Sequence, residues 1–369
     1  MGKSEFTKED TLAMKGVAII VMFYHHCFLS KDRFAKFDVT FFPLPEHVAI
    51  TLSYFCKICV GLFVFLSAYG MTISLKNALQ NKPEDRKTFE LLMGKRYISL
   101  MMGYWFVFIM GILSSLILRP QLLTIYTDGF HGIWTFLLDF FGVAFLFGAD
   151  TLIGTWWYMG LAITLIFAMP MLYLLCKRFG VLAVLLAGLV PSFFGIDGGN
   201  YARYLLCIML GIFFAQENLL VRIRELKFTK SQWLSKCIKL FFYVIVLVFC
   251  IKFRSLSDAK NYYFLHDSII PMIVICFCNE FILHIKGLRW ILVFFGKHSM
   301  NMFLFHTFIR VKFFSEFTYS FKSAWLILLI LLLDSAFISV VFEWIKKLIR
   351  YEKWTQKLLK SYEGIVLRG

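Results

Sequence analysis

The first apolar segment, residues 12 to 29, carries a lysine near its start and two histidines near its end. Lys15 lies eleven residues before His26, so an α-helix places both on one face, about 20° apart, with His25 about 80° away. The rise between Lys15 and His26 is about 16 Å, roughly half a hydrocarbon core. A cation at one depth and a titratable imidazole at another are suited to chemistry that joins two sides of a membrane. The alternative is a snorkelling lysine with two interfacial histidines, although ionisable groups inside a span are functional by default.

A second set of polar residues lies in the late apolar segment. Ser299 and His306 are seven residues apart, about 20° from one helical face, and Arg310 continues the stripe. This pattern indicates either a substrate-binding surface or a core histidine whose ring is hydrogen-bonded inside the fold. The sequence has no G-x-S-x-G turn and no aspartate close to the stripe, so it does not predict a hydrolase triad.

Two shorter motifs lie where apolar segments begin. Lys95 and Arg96 directly precede the third apolar segment, where two adjacent bases could bind a phosphorylated ligand or act as a positive-inside anchor. Trp157, within the aromatic run 155–159, could stack on a sugar or adenine ring or belong to an interfacial aromatic belt. No Walker-type or G-x-G-x-x-G loop is present, so nucleotide hydrolysis is not predicted.

The composition of the chain indicates which kind of secondary structure carries these residues. The 369-residue chain is 60% hydrophobic and only 17% charged, which is typical of a polytopic membrane protein and not of a soluble globular domain. Long continuous apolar runs predict helices, because barrel strands alternate. The formal charge of +16 falls mainly in loops between the apolar runs, where it favours cytoplasmic retention and not nucleic-acid binding. The nine cysteines lie mostly inside apolar segments, where they act as small apolar side chains, and we predict no metal site.

Loop charge gives a topology of about ten transmembrane helices with both termini in the cytoplasm. The first span covers about 12–29, the last about 324–344, and the basic loop 76–96 is assigned to the cytoplasm. The apolar run 134–148 is short and contains an aspartate, which favours a re-entrant segment over a crossing. We predict an all-α polytopic membrane protein with a single domain over residues 1–369. Charged residues in apolar segments are candidates for ion pairs between helices: Asp139, Arg203, Glu280 and Asp334.

In their order and spacing, these motifs resemble the membrane acyltransferase-3 family along nearly the whole chain. The resemblance rests on K-G-V-A-I and Y-H-H in the first segment, V-G-L-F-V-F-L-S-A-Y in the second, K-R-Y before the third, W-Y-M-G, and G-K-H-S followed by L-F-H. The family's basic residue, ten intervening residues and histidine correspond to Lys15 and His26. The family usually has arginine at the first of these positions and an R-x-x-R pattern near the third helix, where Arg96 is followed by Ser99. The acidic residue that often follows its tryptophan is missing.

The resemblance implies a ten-helix enzyme that moves an acyl group, often acetyl, from cytoplasmic acyl-coenzyme A to a carbohydrate at the outer face. On this basis we expect an O-acetyltransferase of a surface polysaccharide or lipid-linked saccharide in the bacterial cytoplasmic membrane. His26 would be the general base or acyl carrier. Acetyl-CoA would be the acyl donor, and no metal is predicted. The residues expected to hold coenzyme A are Lys15, Lys95 and Arg96, and those expected to contact substrate are His25, Trp157, Ser299 and His306.

The expected partners are acyl-CoA, a carbohydrate acceptor and membrane lipid, with no nucleic acid, and a homo-oligomer is left open. A rival from another class is a transporter or flippase of polyprenyl-linked saccharide, supported by the helix layout and the intramembrane charges. It predicts no coenzyme A affinity and tolerance of His26→Ala. A different acyl group, such as succinyl, would keep the fold. Many family members carry a further esterase-like domain, and this chain is expected to be a stand-alone member.

Overall fold

A computed structural model describes residues 6–80, 85–194, 201–256 and 262–368. These residues form fifteen α-helices joined by short 3₁₀ and π turns, and they contain no β-strand, which confirms the all-α class. The helices are α1 (Lys8–Phe28), α2 (Glu46–Phe55), α3 (Cys59–Leu79), α4 (Arg86–Leu118), α5 (Gly129–Phe140), α6 (Trp157–Phe179), α7 (Val181–Phe193), α8 (Leu205–Gln216), α9 (Leu219–Glu225), α10 (Gln232–Ser255), α11 (Tyr263–Phe277), α12 (Lys286–Thr307), α13 (Ser315–Ser320), α14 (Ala324–Leu348) and α15 (Tyr351–Arg368).

Within the described residues, seven helical segments are long and apolar enough to cross a membrane. An eighth is obtained if the pair Tyr201–Gln216 and Leu219–Glu225, bent by 68°, forms one broken span. The count of ten spans and the cytoplasmic termini stay predictions. At 12 residues, α5 is about 18 Å long, shorter than a hydrocarbon core is thick. The stretch 134–148 therefore contains no helix long enough to cross by itself.

The chain divides into two compact units, which are described separately below. The first unit comprises residues 1–36, 41–77 and 170–297, and the second comprises 37–40, 78–169 and 298–369.

In the first unit, α1 begins at a capping box. The Thr7 hydroxyl oxygen accepts from the Asp10 amide at 3.2 Å, and the Asp10 carboxylate accepts from the Thr7 amide at 2.8 Å. The Arg289 guanidinium of α12 donates to Asp10 and, at 3.1 Å, to Glu9. These contacts fix the start of α1, since carboxylates at a helix N-terminus also interact favourably with the helix dipole.

Two glycines of the motifs that resemble the acyltransferase-3 family, Gly16 and Gly296, let α1 lie close to α12. A Cβ on Gly16 would overlap the backbone of Leu292, and a Cβ on Gly296 would overlap the backbone of Leu12. Small residues permit this close backbone approach, which is how helices commonly pack in membranes. These two glycines therefore serve packing.

In the second unit, α15 lies along α4. The Tyr351 hydroxyl donates to the Met102 carbonyl and the Tyr362 hydroxyl to the Glu90 carbonyl, both at 2.9 Å. A Cβ on Gly94 would overlap the Tyr362 ring. No residue of α15 within the described range is fully buried, so this helix lies on the outside of its unit.

The expected ion pairs form at two of the four predicted positions. Arg203 pairs with Asp267, and Glu280 accepts from the Lys239 ammonium at 2.9 Å. No ion pair is found at Asp139 or Asp334 within the described residues. The buried Asp139 carboxylate instead accepts hydrogen bonds, described below, because its neighbours are tyrosines and a backbone amide and not bases.

Candidate functional site

The two histidines of α1 occupy different surroundings within the first unit. His25 is buried, and its Nδ1 lies 2.8 Å from the Ser53 carbonyl of α2, so Nδ1–H is the donor. The Ser53 hydroxyl in turn donates to the Tyr24 and His25 carbonyls, at 3.2 Å each. The neutral His25 imidazole is therefore held in the tautomer that leaves Nε2 as an acceptor.

His26 is only half-buried. Its backbone carbonyl accepts from the Arg33 guanidinium at 2.6 Å, which fixes the chain just after α1. The His26 ring lies edge-on to the His25 ring, with 5.3 Å between centroids. Lys15 is also half-buried, and α1 is a continuous helix through both residues, so the predicted spacing of Lys15 and His26 along one face applies.

The tryptophan motif begins α6 in the second unit. Trp156 is fully buried, and its indole N–H donates to the Leu304 carbonyl at 2.9 Å. Trp157 is half-buried, with its ring 6.1 Å from that of Phe145. The first tryptophan thus locks the helix start onto α12, and the second is the one with surface left for a ligand.

His306 is fully buried in the second unit. Its Nδ1 lies 2.7 Å from the Phe303 carbonyl, and its Nε2 lies 3.3 Å from the Thr307 hydroxyl. The Thr307 hydroxyl is also 3.3 Å from that of Thr155, next to the tryptophan motif. Ser299 is buried on the same helix. The structure therefore brings the end of α12 and the start of α6 together, and it surrounds the His306 ring with hydrogen-bonding groups.

Lys95 and Arg96 lie inside α4, not in a loop. The predicted loop 76–96 is largely helical because α3 continues to Leu79 and α4 begins at Arg86; positions 81–84 lie outside the described residues. The Lys95 ammonium pairs with the Glu363 carboxylate of α15 at 2.9 Å, with side chains 33% and 39% exposed. So exposed a pair is worth about 0–1 kcal/mol, which a phosphate could readily displace. Arg96 is exposed.

Sequence reasoning missed a polar network in the second unit. The Asn301 amide donates to the Ser339 hydroxyl at 3.0 Å and to Glu343 at 2.8 Å, and Lys346 donates to Glu343 at 2.7 Å. His298 Nδ1 lies 2.8 Å from the Ser339 hydroxyl. The spacing of residues 339, 343 and 346 is that of one helical face, and this polar stripe in the last apolar segment was the signal that could have found it.

A cavity of about 570 Å³ in the first unit has more bases than carboxylates in its lining, which includes Arg224, Lys227, Lys236, Lys239, Glu225, Glu280 and His284. Its volume and charge suit a phosphorylated ligand. No group of three or more histidine, cysteine, aspartate or glutamate residues is placed to hold a metal ion in the part of the chain that the structure describes.

An all-helical fold with several helices long and apolar enough to cross a membrane indicates an integral membrane protein. Residues 13–344 match the family model described as "Acyltransferase domain", Acyl_transf_3. The chain belongs to the acyltransferase-3 family. The match includes both histidines of α1 and ends before α15. No curated protein and no solved structure matches the chain.

Proposed function

We propose that this protein is a membrane O-acyltransferase that transfers acetyl from cytoplasmic acetyl-CoA to a hydroxyl of an extracytoplasmic polysaccharide or lipid-linked saccharide. The family supports acyl transfer in general. The observation that carries the finer proposal is the contrast within α1: the Nδ1 of His25 is bound to Ser53, whereas the adjacent His26 is half-buried.

His26 acts as general base in this proposal. A neutral imidazole nitrogen takes the proton of the acceptor hydroxyl while the hydroxyl oxygen attacks the thioester carbonyl, and the C–S bond then breaks to release coenzyme A. A thioester is already activated, so positioning and proton removal account for most of the rate. In the second version the imidazole attacks the thioester carbonyl, and the C–S bond breaks to release coenzyme A, which leaves an acyl-imidazole. The acceptor oxygen then attacks this acyl group, the C–N bond breaks, and the hydroxyl proton passes to the released imidazole nitrogen.

The remaining predicted residues have supporting roles. Lys15, Lys95 and Arg96 are proposed to contact the phosphates of acetyl-CoA. Trp157, with its half-buried ring, is proposed to stack on the acceptor. Three buried side chains are proposed to contact substrate: His25, Ser299 and His306.

The proposal includes a topology of ten spans with both termini cytoplasmic, in a bacterial cytoplasmic membrane, with residues 1–369 acting as one domain. Lys8 at the start of α1 would then lie near the donor side and Phe28 at its end near the acceptor side. A single helix would thus pass from the compartment of the donor to that of the acceptor.

The test is the acetyl content of the purified cell-surface polysaccharide, measured by proton NMR. A deletion strain is complemented with wild type, His26→Ala or His47→Ala, and membrane levels are matched by immunoblot. His47 is exposed on α2 of the same unit and provides the control. We expect acetyl signals from wild type and His47→Ala, and a loss of about 10²-fold or more in transfer rate for His26→Ala.

Normal acetylation by a well-expressed His26→Ala protein would refute the role of this histidine. A deletion strain whose polymer keeps its acetyl groups but falls in amount or length would instead favour the transporter or flippase function.

A further inference from the structure

Two buried arginines share one aspartate in the first unit. Arg254 Nη2 donates to one Asp267 carboxylate oxygen at 2.7 Å, and Arg203 Nη2 pairs with the other. The Arg254 and Asp267 side chains are 0% and 1% exposed. Gly61 of α3 makes this arrangement possible, because a Cβ there would overlap the Asp267 backbone. The carboxylate is therefore committed to two cations at once.

A third cation adjoins this pair. The Lys57 ammonium lies 5.1 Å from the centroid of the Tyr263 ring, and the guanidinium carbons of Arg203 and Arg254 lie 4.5 and 5.8 Å from the same centroid. Three cations therefore lie around one tyrosine ring. Lys57 is half-buried, and no carboxylate lies within ion-pair distance of it among the described residues. Like charges gathered this closely repel each other unless an anion joins them.

Several hydrogen-bonding atoms near Tyr263 have no partner among the described residues. Arg254 Nε and Nη1, and both ring nitrogens of the buried His266, have no hydrogen-bond partner among the residues that the structure describes. Buried polar groups are nearly always hydrogen-bonded. Donors without acceptors beside an excess of positive charge are what an anion-binding site presents.

The cluster adjoins the histidine pair through two consecutive residues of α2. Ser53 accepts the hydrogen bond of His25, and the ring of the next residue, Tyr54, lies 5.8 Å from the Arg254 guanidinium. Arg254 is the penultimate residue of α10, and His26 is the third from last in α1. The N-terminus before α1 is assigned to the cytoplasm, and the basic loop 217–239 before α10 is assigned there by the same rule, so both residues lie toward the proposed acceptor side.

We propose that Arg254 and Lys57 bind an anionic group, a phosphate or a carboxylate, of the acceptor saccharide. This inference rests on the proposed function and restricts its acceptor to an anionic glycan or a phosphate-linked carrier. The donor is excluded as the source of the anion, because its phosphates would be held near the cytoplasmic ends of the helices. The bound anion completes the charge balance of the cluster and holds the acceptor beside the histidine pair.

The test is calorimetric titration of the purified full-length protein in detergent at low ionic strength, since salt screens such contacts. The probes are inorganic pyrophosphate, glucuronate and uncharged glucose. We expect saturable binding of at least one anion and none of glucose. Tighter binding of pyrophosphate would indicate a phosphate-linked carrier as the source, and tighter binding of glucuronate would indicate a sugar carboxylate.

Lys57→Met is the decisive variant, because it removes a cation without breaking an ion pair. It should weaken anion binding by about tenfold or more, the usual effect of losing one charge-assisted contact. Lys31→Met is the matched control, since Lys31 also belongs to the first unit but is exposed and pairs with Glu46. Arg254→Lys, which keeps the charge but loses the planar fork, should weaken binding as well.

Equal anion affinity in Lys57→Met and Lys31→Met, or no affinity of the wild type for either anion, would overturn the inference. Its failure can be told apart from failure of the proposed function. His26→Ala should keep anion binding while losing acetyl transfer, whereas a His26→Ala protein with full activity would refute only the role of the histidine.

Discussion

Replacement of Asp139 by leucine should destabilise the second unit. The Asp139 carboxylate is 1% exposed and accepts from the Tyr126 hydroxyl at 2.6 Å and from the Leu152 amide at 2.8 Å through Oδ2. The Tyr104 hydroxyl donates to the Asp139 carbonyl at 2.7 Å and is retained in the variant. Leucine branches at the same atom and leaves no cavity, so the loss comes from the two donors left without an acceptor, to which the overlap of a methyl with these close neighbours adds.

The magnitude follows from the surroundings of those two donors. A buried donor without a partner costs about 1–3 kcal/mol. Tyr126 is half-buried and can turn toward solvent, so the cost of its lost hydrogen bond is near the low end of this range. The buried Leu152 amide cannot move, so its cost is higher. The total is about 3 kcal/mol, or about 4 °C in unfolding temperature for a chain of this length. Asp139→Asn keeps an acceptor and should cost about 1 kcal/mol or less.

The assay is thermal unfolding of the full-length protein in detergent, followed by tryptophan fluorescence. The Leu152 amide precedes the tryptophan motif by only a few residues, so we also expect Asp139→Leu to lower acetyl transfer by disturbing Trp157. An Asp139→Leu protein that unfolds within about 1 °C of wild type, or an Asp139→Asn protein as unstable as Asp139→Leu, would refute this reasoning.

Burial raises the pKa of Asp139 to about 6, so its protonated form stabilises the fold below pH about 4, and that contribution should be lost as the pH rises through 6. Unfolding temperatures from pH 4 to 8 should show this slope in wild type and not in Asp139→Asn; equal slopes would count against it. Gly296→Ala should lower stability by about 1–3 kcal/mol because the new methyl overlaps the α1 backbone, whereas Gly287→Ala, on the open side of the same helix, should be neutral or stabilising. Equal unfolding temperatures for the two alanine variants would contradict the proposed crossing. Glu363→Gln should change stability by less than about 1 kcal/mol and raise the affinity for coenzyme A several-fold by releasing Lys95, and unchanged affinity in a titration would remove Lys95 from the donor site.

The class of fold was accessible from sequence because a bilayer leaves few choices. Continuous apolar runs can satisfy their backbone groups only as helices, and the described residues are helical accordingly. The two histidines of α1 could also be distinguished from the sequence, because helical periodicity alone puts His26 and His25 on different faces. The structure adds that the Ser53 carbonyl binds the His25 ring.

Contacts between side chains that are distant in the sequence could not be predicted from it. Nothing near Lys95 indicates Glu363, because that contact depends on how α15 lies along α4. Asp139 was assigned to an ion pair because charge in an apolar run usually seeks an opposite charge, yet tyrosine hydroxyls supply the hydrogen bonds instead. Which of these solutions a buried carboxylate adopts depends on tertiary neighbours, and spacing along the chain does not record them.

The family-like motifs contain residues of two kinds, and the structure separates them. Gly16 and Gly296 admit neighbouring backbones, and a side chain there would displace a helix. Lys15 directly precedes one such glycine, so the requirement for close packing also fixes where Lys15 lies along the contact between α1 and α12. His26 lies eleven residues further along the same rigid helix, which means that the crossing at Gly16 sets its position as well. Loss of activity in a glycine variant would therefore reflect displacement of α1, and only substitution of the histidine itself tests the chemistry.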